Sequence, residues 1–62
     1  MEEVATITFE DLDTKSEAIA IVKRDADAVL LALSIRVDGD IQVVMRRVDA
    51  RRLLEALQTA LA

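Results

Sequence analysis

The chain has 62 residues, no Cys, no His and a formal net charge of −4. That length leaves room for one domain, and the missing residue types exclude disulfides and leave a structural zinc without a ligand set. The acidic balance opposes a general affinity for nucleic acid, whose phosphates repel negative surfaces.

Hydrophobic residues make up 53% of the chain, too many for a disordered segment. Ten of them are alanines, however, and Phe9 is the only aromatic residue. The core therefore has to be built from Val, Ile, Leu and Met, without the area that large rings supply. A domain of this size buries only roughly 60% of its unfolded surface and usually needs a disulfide, a metal or a partner subunit. Composition leaves the partner subunit, or unusually good packing. The longest unbroken apolar run, Ala28 to Leu33, falls far short of the roughly 20 residues of a membrane span. The acidic start Met1-Glu2-Glu3 does not read as a signal peptide. Together with the lack of Cys, this sets the expectation of a soluble cytoplasmic protein.

Hydrophobic periodicity carries the rest, because one Gly and no Pro give little punctuation. A first strand is expected over 3–10, with Ala5, Ile7 and Phe9 on one face and Val4, Thr6 and Thr8 on the other. Residues 11–16 read as the loop that follows. A second strand is expected over 17–24, where Ile19 and Ile21 alternate with Ala18, Ala20 and Val22. The Asp25-Ala26-Asp27 turn leads into the third strand, 28–37, and an odd-length turn aligns Ile21 with Leu31.

In that third strand Val29, Leu31, Leu33, Ile35 and Val37 occupy every odd position, so all five share one face. The fourth strand, 41–47, sets Ile41, Val43 and Met45 against Gln42, Val44 and Arg46. A two-residue Asp-Gly turn would put Asp40 and Gln42 on the apolar face. Hydrophobic pairing should outweigh that turn preference, since a one-residue slip flips every side chain. A three- or five-residue connection around Asp38-Gly39-Asp40, with a bulge, is expected instead. It places Val37 opposite Ile41, Ile35 opposite Val43 and Leu33 opposite Met45.

The last element reads as a helix over 50–61, with Asp49 as N-cap. Ala50, Leu53, Leu54, Leu57, Ala60 and Leu61 form its apolar stripe, and Arg51, Arg52, Glu55, Gln58 and Thr59 its polar side. Residues 1–62 thus predict a single α+β domain, a four-stranded antiparallel meander (β-β-β-β-α) with its amphipathic helix across one sheet face. The expected core is Ile19, Ile21, Leu31, Leu33, Ile35, Val43, Met45, Leu53 or Leu54, and Leu57. The topology is similar to that of a family of single-stranded-DNA-binding proteins. Such binding uses stacking aromatics and a basic surface, and this chain has neither.

No catalytic set, cofactor site or metal site is expected. Ser16 and Ser34 are the only serines, and a serine nucleophile needs an adjacent base. The pairs Asp11/Asp13, Asp25/Asp27 and Asp38/Asp40 could in principle offer oxygen ligands to calcium, but Asp is also a common turn residue. Arg46, Arg47, Arg51 and Arg52 bracket the helix start, where a cation cluster could contact an anion or an acidic partner. Asp25, Asp27 and Asp49 are placed to neutralise it. The outward sheet face is expected to carry an apolar patch of Ala20, Val22, Leu30, Ala32 and Val44, a candidate interface. The reading is a small non-enzymatic protein-interaction module acting as a homodimer, with a possible protein partner. Its rival is a nucleic-acid-binding or regulatory, antitoxin-like module that uses the Arg cluster.

Overall fold

In the computed structural model, which describes residues 1–37 and 39–62, four strands form one open antiparallel sheet in the order β1-β2-β3-β4. They are β1 (Glu2–Glu10), β2 (Glu17–Arg24), β3 (Ala28–Ile35) and β4 (Gly39–Arg46), followed by the helix α1 (Arg47–Leu61). The α+β class and the meander match the sequence reading. The Asp38 part of the expected turn and of the Asp38/Asp40 pair lies outside the described residues.

Register decides which side chains share a face. Between β3 and β4 the expected parity holds, because odd residues face odd residues: Leu31 pairs with Val43 and Leu33 with Ile41. The turn itself sits earlier than expected. Ile35 pairs with Gly39 rather than facing Val43, and Val37 lies in the turn. The glycine explains the offset. At φ +94 it adopts a left-handed conformation that suits the closing position of a hairpin turn, not its centre. Nothing lies within 4 Å of a Cβ built there, so Gly39→Ala should lose only backbone energy, about 1–2 kcal/mol. A thermal melt of that variant should fall by several degrees.

Between β2 and β3 the expected parity fails. Val22, not Ile21, pairs with Leu31, and Ile21 pairs with Ala32. Turn chemistry is the cause. The Asp25 carboxylate accepts the Asp27 and Ala28 amides at 3.0 and 2.9 Å, and the Asp25 amide donates to the Ala28 carbonyl at 3.0 Å. Those bonds fix an even-length turn between Arg24 and Val29, which are themselves paired. Ile19 and Ile21 are therefore turned away from the helix and leave the expected helix-side core, though both stay half-buried.

The helix-side face is read from the pairing in rows across the sheet: Phe9, Ala18 and Ile35; Ile7, Ala20, Leu33 and Ile41; Ala5, Val22, Leu31 and Val43. In β1 the register shifts between Glu3 and Ala5. This bulge adds Val4 to the helix side, against the expectation that it faced outward. Arg24 and Glu2 end the face with an ion pair at 2.8 Å.

The helix begins at Arg47, immediately after the last β4 residue. Asp49 is not its N-cap. Arg46 occupies that position without a side-chain cap, and Asp49 sits in the first turn, where its carboxylate favours the positive helix end. With no connecting loop, the helix is tethered to one corner of the sheet. It packs weakly against β3 and β4, and none of its residues is buried. Exposure along its apolar stripe rises from 41% at Leu53 to 86% at Leu61.

Much of the expected core is consequently open. Ala18, at 3% exposure, is the only buried hydrophobic residue among those described. Leu31, Ile35 and Met45 are half-buried, whereas Leu33, Val43, Leu53, Leu54 and Leu57 are exposed. The molecule is a plate of 35 × 29 × 15 Å with a radius of gyration of 12.6 Å. A compact chain of this length has about 10.5 Å. No described helix is long and apolar enough to cross a membrane.

Candidate interaction surface

The expected interface residues do not form one patch. Leu30, Ala32 and Val44 face outward, but Ala20 and Val22 lie on the helix side, because of the even turn between β2 and β3. Ile19 and Ile21 replace them on the outward face. That face is otherwise polar: Thr6 donates to Glu3 at 3.0 Å, and Ser34 donates to Asp40 at 2.7 Å. Glu10 and Glu17 are direct cross-strand neighbours, a like-charge pair that favours solvent over burial.

The exposed apolar area has a different address. On the helix side, Ile7, Phe9, Leu33, Ile41 and Val43 are all exposed, and the helix corner leaves them uncovered. Ala18 and Ala20 of β2 lie between Ile7 and Phe9 on β1 and Leu33 and Ile35 on β3. Large residues on both sides of small ones make a shallow apolar trough. Beside it, a cleft of about 310 Å³ opens between Val22, Leu31 and Met45 on the sheet and Leu53, Leu54 and Leu57 on the helix. The alternation of Ile7 and Phe9 was visible in the sequence. That the helix would fail to cover them was not.

The four arginines divide into two pairs. Arg46 and Arg52 converge on Asp49, at 2.9 and 3.7 Å. Arg47 and Arg51 instead border a 280 Å³ cleft, together with Arg24 and the apolar residues Val4, Val22, Val29 and Leu54. Asp25 and Asp27 lie at the expected end of the sheet, since Ala28 pairs with Arg46. Asp25, however, bonds its own turn. Among the described residues, neither Asp25 nor Asp27 forms an ion pair with the cluster.

Asp11 is also engaged locally. Asp11 accepts the Thr14 hydroxyl at 2.6 Å and the Thr14 amide at 3.0 Å. The hydroxyl bond first, and then the amide, hold its carboxyl below the ordinary value of 3.8. The same loop closes through the Lys15 amide on the Asp11 carbonyl at 2.8 Å, with Lys15 itself at φ 61. No three acidic side chains converge as metal ligands among the described residues. Comparison with protein-family models, with curated proteins and with solved structures finds no match.

Proposed function

We propose that this protein is a non-enzymatic interaction module that works as a homo-oligomer, most simply a two-fold dimer. The observation that carries the reading is its surface. The single chain exposes 5040 Å², where a folded monomer of 6.8 kDa exposes about 4,000 Å². The excess, about 1,000 Å² per chain, is close to the roughly 800 Å² that each partner contributes to a standard interface. A cytoplasmic location is what the lack of Cys supports.

Nucleic-acid binding through Arg46, Arg47, Arg51 and Arg52 ranks second. Asp49 engages two of these four side chains, and the chain as a whole is acidic. Sedimentation velocity at micromolar concentration, followed by interference because the chain has no Trp or Tyr, tests the first reading. The expected result is a species of about twice 6.8 kDa that persists at high salt, because an apolar contact responds weakly to ionic strength. A single species of chain mass at every concentration overturns it.

A further inference from the structure

We infer that the covered face is the helix side of the sheet, and that each copy lays its helix into the trough of the other. This deepens the homo-oligomer reading and rests on it. Six of the seven exposed large hydrophobics on the strands lie on this face: Val4, Ile7, Phe9, Leu33, Ile41 and Val43. Val44 alone faces the other way.

Three further observations favour a second copy as the occupant. The trough and the unburied helix stripe lie on the same side of one chain. A two-fold axis therefore brings each against the other's counterpart, as a self-complementary interface requires. The strands that wall the trough flank β2, so their axes stand about 10 Å apart, and the small Ala18 and Ala20 between them leave a groove for one ridge of helix side chains. The excess area of about 1,000 Å² per chain also exceeds the roughly 800 Å² that each partner gives to a standard interface, so a second copy of this chain is large enough to cover it.

Charge separates this geometry from its rivals. On the strands, the helix side carries only Arg24 and Glu2, which neutralise each other. The outward face carries Glu3, Glu10, Glu17 and Asp40 against Lys23 and Arg46. Two such faces in contact would set net negative charge against itself. Edge pairing through β1 meets the bulge at Val4, a device that blunts an exposed strand edge.

Ile41 and Val44 provide a matched test, since both lie on β4, both are 59% exposed in the single chain, and they face opposite ways. With no native Cys, Ile41→Cys and Val44→Cys each introduce one thiol of modest size. At concentrations where the protein sediments as a dimer, the thiol at 41 should react with a maleimide at least about tenfold more slowly than that at 44, a difference of roughly 1.4 kcal/mol. Dilution into the monomer range should abolish the difference. Ile41→Lys should likewise split the dimer, while Val44→Lys leaves it intact. Should either lysine variant unfold by circular dichroism, the cysteine pair still decides. Equal rates in a dimeric protein, or slower reaction at 44, overturn the face assignment and leave the dimer standing. A monomer at all concentrations removes both.

Discussion

Replacing Leu33 by alanine should lower the unfolding free energy by about 2–5 kcal/mol, the range for a buried leucine. In the single chain Leu33 is 41% exposed, and its cross-strand neighbours are Ala20 and Ile41. A side chain open to that extent gains only part of the roughly 1.5–3 kcal/mol of full burial, and it leaves no closed cavity when removed. An exposed Leu33 would therefore lose about 1 kcal/mol. A loss in the upper range means that something covers the residue. Urea unfolding at fixed protein concentration measures it, with an unchanged slope as the sign that stability alone has moved. Val44→Ala, on the outward face, is the reference and should lose less. Equal small losses at both positions would place Leu33 in solvent and remove the basis for a covered helix-side face.

The contrast between the two faces was legible in some strands and hidden in others, for a physical reason. In β4 the two sides differ sharply, with Ile41, Val43 and Met45 against Gln42, Val44 and Arg46. Hydrophobic pairing could settle the parity there, and it agrees with the structure. In β2 both sides are apolar: Ile19 and Ile21 against Ala18, Ala20 and Val22. Burial gained by one choice nearly equals that gained by the other, so the Asp25 turn decides, through three hydrogen bonds that periodicity cannot register. The β1 bulge has no marker in sequence either, since Val4 fits an ordinary strand position.

The helix was visible from its stripe, yet its first residue moved from Ala50 to Arg47 and its cap from Asp49 to Arg46, because Asp49 serves the Arg46 and Arg52 side chains and not a backbone cap. At the candidate site, the concentration of arginines at the helix start was readable. Their division between Asp49 and the cleft depends on three-dimensional placement. The expected interface residues are divided between the two faces for the same reason that the β2 register differs. Once Ala20 and Val22 change sides, the outward patch loses two of its five members, and the helix side gains the floor of a trough. The missing connection between Arg46 and Arg47 then keeps the helix at one corner, away from that floor.

Thermal stability should depend on protein concentration, and that dependence is the largest effect expected of the unmodified chain. When a dimer unfolds to two separate chains, a tenfold dilution removes about 1.4 kcal/mol from the folded state. Unfolding entropy near the midpoint is roughly 2.1 cal/mol/K per residue. Two chains of 62 residues therefore carry about 0.26 kcal/mol/K, and the midpoint should fall by about 5 °C for each tenfold dilution. A monomeric fold gives no shift. Calorimetry or circular dichroism across two decades of concentration covers a change of about 10 °C, well beyond the scatter of a melt. The same series at high salt separates apolar from ionic association, because screening weakens charge contacts between exposed groups and leaves buried apolar area nearly unaffected. A midpoint that stays fixed across the whole series would mean that 62 residues hold this open sheet together alone. The excess surface of about 1,000 Å² per chain would then be exposed in solution, and the homo-oligomer reading would fail.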